Sequence, residues 1–588
     1  MTERTLTPQE FANRWSKSGL SERSGSQQHF LDLCRMLGHK TPVEADPEGD
    51  FFTFEKGVTK TGTGSTGDGK DGKGGAGKGF ADVFYRDRFA LEYKGKHKDL
   101  AAAYDQLLKY REDLENPPLL VVCDMDRFEI HTNFTRSAKK VYSFSNAELP
   151  EPENLKILRA LFEDPDSLRP ERTPEGVTEE AAAKFATLAD GLRARGVDPE
   201  RAAHFLNKLL FCLFAEDVEI LPRGLFSRVA ERTRNDPERF AQYAGDLFSS
   251  MSEGGDFLLE DIRHFNGGLF ADAEVVPLEP KEIKLLAEAG RLDWGSVEPA
   301  IFGTLFERSL DPSQRAQLGA HYTSRADILE IVEPVLMAPL RRKWEQVQGE
   351  VQEVSEKMHP TDRAPRNRSL RRMNEKIVGF LEELRSVRVL DPACGSGNFL
   401  YVSLKRLLEL EKEVATFSEK MGTGHFFPEV SPEQLHGIET STYAHELAQV
   451  SIWIGYLQWL VDNGFGARRE PVLGPMTNIL EMDAILGQGE NGELHEPEWP
   501  EADVIVGNPP FLGSRRMRPV LGDEYCDALK QIYTGRLDGL PDLICYWFEQ
   551  ARGEIDAGRT DRAGLIATNS IRGGSNRQVL QRIKRLRQ

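Results

Sequence analysis

The sequence predicts a multidomain protein of the α/β class, and three observations lead to that prediction. Short apolar runs of strand length, such as residues 387–390 and 502–507, end in glycine- or proline-rich turns. Longer amphipathic stretches, of which residues 202–214 are one, have the period of an α-helix. The chain also has 588 residues, which is more than one hydrophobic core usually organises. We therefore expect α/β domains at both ends of the chain and helices between them.

The composition divides the chain into three predicted regions. Residues 1–165 mix strand and helix patterns, and their end overlaps a joint that is rich in proline and glutamate. Residues 178–290 have helical periodicity and are predicted to form a spacer domain. Residues 291–588 hold a second α/β domain, in which charged helices over 339–385 precede a glycine-rich turn.

Charge, cysteine content and hydropathy exclude some classes of protein. The chain has 75 Lys and Arg against 94 Asp and Glu, so its net charge is −19. Bulk charge governs solubility rather than the charge of one groove, so nucleic-acid binding stays open. The 6 cysteines show no CxxC spacing, which argues against a zinc site or a disulfide framework. No apolar signal core opens the chain and no apolar run approaches about 18 residues, so we expect a soluble, cytoplasmic protein with no membrane contact.

The first candidate site is a pair of predicted strands near the N-terminus. Residues 79–85 alternate like a half-buried strand, 86–88 read as a turn, and 89–94 return as a second strand. Period-2 alternation places Glu92 and Lys94 on one face, and Asp82 reaches the same end of a hairpin. Two carboxylates and a lysine suit a metal-dependent phosphodiesterase. In this interpretation Asp82 and Glu92 bind Mg²⁺, and Lys94 orients or activates the attacking water.

The helix predicted next adds two polar side chains to that candidate site. It covers residues 99–114 and places Gln106 and Tyr110 four positions apart on one face. The segment before the strand pair, 64–71, nearly spells a phosphate-binding loop. However, Asp71 stands where that loop needs Ser or Thr, and no apolar strand leads into it. We therefore predict a flexible insertion there and no ATP as a partner.

The second candidate site begins with a glycine-rich turn. The predicted strand 387–390 is followed by Asp391, then by Gly395 and Gly397, and then by an amphipathic helix through residue 410. Glycines in a strand-to-helix turn let backbone approach a ligand closely, and the helix N-terminus favours a carboxylate. The third glycine of the dinucleotide fingerprint is absent, which argues against NAD.

Two acidic residues follow later predicted strands. The strand 434–438 ends in Glu439, a position that suits the hydroxyls of a ribose. Asp483 ends the segment 478–483 and is placed to meet an adenine amine. Each carboxylate alone could equally be a solvated loop residue.

The most specific motif of the chain follows a predicted buried strand over 502–507. It consists of Asn508, Pro509, Pro510 and Phe511. Two prolines make the loop rigid and leave carbonyls without a competing N–H. An Asn side-chain oxygen and a Pro carbonyl can accept both hydrogens of an exocyclic amine, which localises the nitrogen lone pair for attack on a methyl donor. Phe511 would supply a stacking face for a base that has left the duplex.

From about residue 300 onward the chain resembles the gamma-class adenine-specific DNA methyltransferases. The resemblance includes residues 319–323, Gly-Ala-His-Tyr-Thr, before the glycine loop, and segments 540–543 and 564–569, which match further strands of that fold. It implies a Rossmann-like domain that binds S-adenosylmethionine, with Tyr322 and Thr323 among the cofactor-binding residues. Ser324 stands where the family usually has Pro, and with Asp327 it predicts a helix N-cap.

The Asp-x9-Glu-x-Lys pattern with Gln-x3-Tyr resembles the PD-(D/E)xK nucleases, and the two halves together resemble the MmeI-like restriction-modification enzymes. That resemblance implies a chain that methylates adenine and cuts double-stranded DNA with Mg²⁺. Three alternatives remain open: a modification-only methyltransferase with a silent nuclease, a protein-glutamine methyltransferase, which also uses Asn-Pro-Pro, and an inactive relic.

The family needs further strands and a target recognition domain after residue 569, and the sequence stops in a basic helical stretch. We therefore expect the N-terminal part of a longer protein, a truncated gene, or a split system with a separate target-recognition chain.

Overall fold

The computed structural model describes residues 6–17, 22–59, 78–95, 98–135, 137–265, 268–299, 323–357, 363–424, 426–466, 476–489 and 491–585. Tyr322 and the segment 64–71 lie outside these ranges. The chain forms two compact units. The first comprises Met1–Val177, Ala415–Phe427 and Trp459–Arg468, and the second comprises Thr178–Val414, Pro428–Gln458 and Arg469–Gln588.

The first unit is built on a mixed sheet with helices on both faces. Its strands are β1 Phe52–Thr59, β2 Lys78–Tyr85, β3 Phe89–Tyr93, β4 Leu119–Cys123, β5 Arg127–Thr132 and β6 Val141–Ser145. Its helices are α1 Pro8–Ser16, α2 Glu22–Leu37, α3 Pro42–Ala45, α4 Leu100–Tyr110 and α5 Pro152–Glu163. The six strands lie in sequence order, and among these neighbours β3 and β4 pair in parallel.

Both faces of this sheet are covered, so its central strands are apolar throughout. Every residue of β3 and β4 is buried. One core packs Phe30 and Leu161 against Leu91 and Val121, and a second packs Leu107 of α4 against Ala90. The antiparallel register Val83 with Leu91 confirms the predicted hairpin, with its turn at residues 86–88.

The second unit begins with helices and continues into a parallel sheet. The helices before the sheet are α6 Pro174–Ala194, α7 Pro199–Asp217, α8 Leu225–Thr233, α9 Pro237–Glu253, α10 Pro280–Ala289, α11 Arg325–Val332, α12 Ala338–Glu356 and α13 Arg363–Ser386. A short hairpin that the sequence reasoning missed, β7 Gly255–Phe257 and β8 Glu260–Ile262, interrupts the helical region. The N-cap prediction is confirmed, because the Ser324 hydroxyl accepts from the Asp327 N–H at 3.2 Å.

The sheet of the second unit is Rossmann-like. The remaining strands are β9 Val389–Asp391, β10 Leu435–Glu439, β11 Ile479–Glu481, β12 Gly487–Gln488, β13 Leu494–His495, β14 Val504–Gly507 and β15 Arg562–Leu565. The remaining helices are α14 Asn398–Lys420, α15 Thr442–Asp462, α16 Ser514–Leu521, α17 Asp523–Ile532, α18 Ile544–Asp556 and α19 Arg577–Arg585. Five strands pair in parallel in the order β11-β10-β9-β14-β15.

Two predictions about these elements are wrong in part. The helix after the glycine loop ends at Lys420, well beyond residue 410, because the apolar face continues through Val414 and Ala415. The segment 540–543 is not a strand but the loop before α18. Pro541 has no N–H for a strand ladder. The Asp542 carboxylate instead accepts from Ser514 N and Asn576 Nδ2, and Asp542 N donates to Asn576 Oδ1.

No helix within the described residues is long and apolar enough to cross a lipid bilayer.

Candidate functional site

The predicted residues of the second half gather at one edge of the parallel sheet. Strands that pair in parallel end at the same edge, where ligands of this type of fold bind. Asp391 ends β9, Glu439 ends β10, and Asn508 directly follows β14. Asp483 stands two residues after β11, so four predicted positions share this edge.

The glycine loop follows β9 in a backbone conformation that needs glycine. Gly395 has φ of +54° and Gly397 has φ of +81°, a region that side chains with a Cβ rarely adopt. A Cβ on Gly397 would lie 3.2 Å from Ala448 of α15, whereas a Cβ on Gly395 would meet nothing within 4 Å. Gly397 therefore allows helix packing, and Gly395 leaves open space above the loop for a ligand.

Glu439 holds this loop in place. Its Oε2 accepts from Gly395 N at 2.9 Å, and its Oε1 accepts from Thr440 N and Ser441 N at 3.0 and 2.9 Å. Burial raises the pKa of Glu439, although the three backbone N–H groups oppose that shift. The structure thus gives Glu439 a role in shaping the loop, which the sequence reasoning did not anticipate.

Asp391 lies beneath the loop and is 1% exposed. Burial raises the pKa of its carboxyl group to about 8, since a low-dielectric site disfavours the charged form. Its Oδ1 accepts from Ala393 N at 3.1 Å. A Cβ on Gly507 would come within 2.5 Å of that same oxygen, so glycine is needed where β14 passes Asp391.

Asp483 is fixed by three donors. Its Oδ1 accepts from Ile485 N at 2.8 Å and Leu486 N at 3.1 Å, and its Oδ2 accepts from the Tyr525 hydroxyl at 2.7 Å. The carboxylate is therefore oriented before any ligand arrives. Sequence reasoning missed Tyr525, because 42 residues separate it from Asp483 and no motif marks it.

Asn508 has its side chain oriented by a residue from far upstream. Its Nδ2 donates to the Thr323 hydroxyl at 2.8 Å, across 185 residues of sequence. Its Oδ1 is buried and has no hydrogen-bond partner among the described residues. A buried carbonyl oxygen without a donor is costly, so this atom is suited to accept from a bound N–H group. Through its bond to Asn508 Nδ2, Thr323, which the family resemblance assigned to the cofactor, contacts the Asn-Pro-Pro-Phe motif.

The rest of this motif packs into the core of the second unit. Pro509 is buried, Pro510 and Phe511 are half-buried, and Phe511 packs against the hydrophobic cluster that contains Tyr546 and Trp547. The indole N–H of Trp547 donates to Pro392 O at 3.0 Å. Helix α18 therefore links the motif to the glycine loop.

These residues fit S-adenosylmethionine. Because Gly395 has no side chain, a ligand in the open space above it can lie close to the backbone of the loop. Asp483 is an oriented acceptor, and a carboxylate has lone pairs beyond the three that its donors use. The bound cofactor would supply an electrophilic methyl group, and Asn508 Oδ1 is a buried acceptor at the same sheet edge.

The candidate site of the first unit is a polar cluster on the face covered by α4. Glu92 is 5% exposed, and its Oε1 accepts from Lys94 Nζ at 3.0 Å and from Gln106 Nε2 at 2.6 Å. Lys94 Nζ also donates to Gln106 Oε1 at 3.3 Å. Burial and the Glu92 carboxylate raise the pKa of Tyr110, so this phenol stays protonated. The structure thus brings together Glu92, Lys94, Gln106 and Tyr110.

Asp82 reaches this cluster from the neighbouring strand. Its Oδ2 accepts from Tyr93 N at 2.7 Å, next to Glu92. Across the described ranges, no group of three or more His, Cys, Asp or Glu side chains is placed to share a metal ion. Mg²⁺ commonly takes one or two carboxylates and fills its remaining positions with water and phosphate oxygens. Asp82 and Glu92 supply that number of carboxylates.

Three family models match successive parts of the chain. The descriptions are "MmeI, N-terminal domain" for residues 6–195, "MmeI, helicase spacer domain" for 200–270, and "MmeI, DNA-methyltransferase domain" for 367–585.

Two curated proteins are similar in sequence. DNA methyltransferase A of Bacillus subtilis is 27% identical over 416 residues, which cover 68% of this chain and 44% of that protein. A putative type II restriction enzyme and methyltransferase of Methanocaldococcus jannaschii is 25% identical over 306 residues, which cover 44% of this chain and 25% of that protein.

The solved structures that are similar in fold include the type IIL restriction-modification enzyme MmeI in complex with DNA. Its TM-score is 0.57 at 26% identity, and the match covers 69% of this chain and 53% of that one. The chain therefore spans about half the length of the Bacillus subtilis protein and of MmeI. It spans a quarter of the Methanocaldococcus jannaschii protein.

Proposed function

Because the chain belongs to the MmeI family, we propose that its DNA-methyltransferase domain methylates double-stranded DNA on the exocyclic amine of adenine. The methyl donor is S-adenosylmethionine. The observation that carries the proposal is the buried Oδ1 of Asn508, which has no donor within the described part of the chain. The Thr323 hydroxyl accepts a hydrogen bond from the side-chain N–H of Asn508. The Asn508 oxygen is therefore left to accept from the ligand.

Asn508 and Pro509 act on the amine of the target base. The lone pair of an adenine amine is delocalised into the ring, which makes the nitrogen a weak nucleophile. Two acceptors, Asn508 Oδ1 and the Pro509 carbonyl, bind the two amine hydrogens and localise that lone pair. Phe511 stacks on the base once it has left the duplex, and Pro510 keeps the loop rigid.

The residues at the neighbouring strand ends hold the donor. Gly395 and Gly397 shape the turn, Glu439 and Asp391 support it from below, and Asp483 accepts from the adenine amine of the cofactor. In this arrangement Glu439 keeps its bond to Gly395 and uses remaining lone pairs for a ribose.

The test is an Asn508→Ala variant of the full chain. Transfer of tritiated methyl groups to DNA should fall by about 100-fold or more, the range seen when one preorganised hydrogen-bonding group is removed. The affinity for S-adenosylmethionine, measured by calorimetry, should change little, because Asn508 binds the base. Asn491→Ala, which removes an exposed asparagine of the same unit, should transfer methyl groups like the wild type. An Asn508→Ala chain with wild-type transfer would refute the assignment.

A protein-glutamine methyltransferase would use the same motif on an amide nitrogen. The family match and the carboxylate-lysine cluster of the first unit favour DNA. Methyl transfer to glutamine-containing peptides, with no transfer to DNA, would support this alternative.

A second activity, Mg²⁺-dependent cleavage of DNA, is favoured by the cluster of Glu92, Lys94 and Gln106. Asp82 and Glu92 hold the metal, and Lys94 orients the attacking water. Lys94→Ala should remove cleavage and leave methylation intact, while Lys40→Ala, an exposed lysine of the same unit, should leave both intact. Full methylation with no cleavage by the wild-type chain would instead support a modification-only enzyme.

A further inference from the structure

The hairpin between α9 and α10 has an unusual tip. Strands β7 and β8 are joined by two residues, Leu258 and Leu259, with φ of +50° and +69°. A two-residue turn with positive φ at both positions normally contains Asn-Gly, because a bulky side chain with positive φ is strained. Leu258 is 52% exposed and Leu259 is 101% exposed. The turn therefore combines a strained backbone with two solvent-exposed leucines. Neither feature stabilises the folded chain.

A basic pocket of about 380 Å³ lies beside this tip. Leu258 forms part of its wall, and the buried side chains of Leu225 and Val229 contribute apolar surface. Its polar lining consists of Arg228, Arg232, Arg239 and Tyr243. The Arg239 Nε and Nη2 atoms donate to the Tyr243 hydroxyl at 3.2 and 2.9 Å, which orients that guanidinium.

One of the three arginines of this pocket has an acidic partner at ion-pair distance among the described residues. Within the ranges that the structure describes, Arg232 and Arg239 have no carboxylate at ion-pair distance, and Arg228 reaches Glu260 at 3.9 Å. Near the end of α8, Glu231 pairs with both Arg234 and Arg291. In a chain of net charge −19, such a concentration of positive charge indicates an anionic ligand.

We propose that the tip and the pocket together form a DNA-contact site in the helical region. A backbone phosphate lies among Arg228, Arg232 and Arg239, and Leu258 and Leu259 press against the sugars and bases beside it. Apolar wedges next to phosphate-binding arginines are a known means by which proteins hold and deform DNA. This inference rests on the proposed function, and it adds a DNA-binding surface outside the methyltransferase domain.

The first test replaces the tip with the sequence that its turn prefers. A Leu258→Asn, Leu259→Gly chain should melt at a higher temperature, because the turn strain is relieved. It should nevertheless bind a fluorescein-labelled duplex about tenfold more weakly, as expected when a leucine side chain is no longer buried against DNA. Opposite changes in stability and affinity exclude unfolding as the cause. Unchanged DNA affinity overturns the proposal, and a change of oligomeric state in that same variant assigns the tip to a protein interface.

The second test removes charge. An Arg232→Gln, Arg239→Gln chain should bind more weakly, and the slope of log K against log salt concentration should fall by about 0.9 for each phosphate that the variant no longer neutralises. The matched control, Arg234→Gln with Arg291→Gln, removes two paired arginines and should keep the wild-type slope. Equal slopes for all three proteins overturn the proposal. A wild-type chain that binds no DNA removes the proposed function as well, so the two failures are distinguishable.

Discussion

The hydrogen bond between Asn508 and Thr323 joins two segments that are 185 residues apart, and it orients the Asn508 side-chain amide. Thr323→Val keeps the shape of the side chain and removes the hydroxyl. We expect kcat for methyl transfer to fall by roughly 10- to 100-fold, because misplacing a reacting group has that effect.

The KM for S-adenosylmethionine should stay near the wild-type value in Thr323→Val, and Thr323→Ser should restore the rate. A raised KM with unchanged kcat would instead support the role in the cofactor site that the sequence resemblance assigned to Thr323.

Asp391 makes the stability of the second unit depend on pH. Its folded-state pKa of about 8 lies above the ordinary Asp value of 3.8, so the folded chain binds a proton that the unfolded chain has released between those values. The contribution of Asp391 to the free energy of unfolding is therefore fully present below about pH 4. It is lost as the pH rises to about 8, and the loss is about 1.4 kcal/mol per pH unit.

Asp391→Asn should remove this part of the pH dependence. Thermal melts of the wild type and the variant between pH 5 and pH 8 measure it, and the wild type should lose stability relative to the variant as the pH rises. The exposed Asp556→Asn should track the wild type throughout. Parallel melting profiles for Asp391→Asn and the wild type would contradict the raised pKa.

At the scale of elements, Gly507 sets how closely β14 passes β9. A Cβ there would lie 2.5 Å from Asp391 Oδ1, where the two paired strands end. Gly507→Ala should destabilise the chain by about 1–3 kcal/mol and lower methyl transfer, because overpacking shifts the strand that carries Asn508.

The control for Gly507→Ala is Gly379→Ala in α13, where a Cβ would meet nothing within 4 Å. Alanine is the better helix former, so that variant should gain about 0.5–1 kcal/mol. Equal stability of the two variants in urea unfolding would show that the close approach at Gly507 is tolerated.

The sequence predicted the elements that have strong periodic patterns and missed those that depend on tertiary contacts. The β2–β3 hairpin, the strands that lead to Asp391, Glu439 and Asn508, and the cap at Ser324 could all be predicted locally. The segment 540–543 could not, because its role comes from bonds between Asp542 and residues 514 and 576. The hairpin at residues 255–262 was also missed, since two leucines are not a turn signal.

At the scale of the whole molecule, two sets of polar residues lie in two compact units. The sequence motifs predicted Asn508, Glu439 and the Glu92–Lys94 pair as candidate residues of these sets. They did not identify Tyr525, Trp547 or the contact between Thr323 and Asn508, because a contact across 42 to 185 residues leaves no local pattern. The arginine pocket could not be predicted from the net charge of −19 either, because net charge does not report how charges are distributed on the surface.

The identity of the methylated base tests the central claim most directly. DNA incubated with the full chain and S-adenosylmethionine carrying a deuterated methyl group is digested to nucleosides and analysed by mass spectrometry. The account predicts deuterated N6-methyladenine, and none with Asn508→Ala. Label on cytosine, or label on protein glutamine with none on DNA, would contradict it.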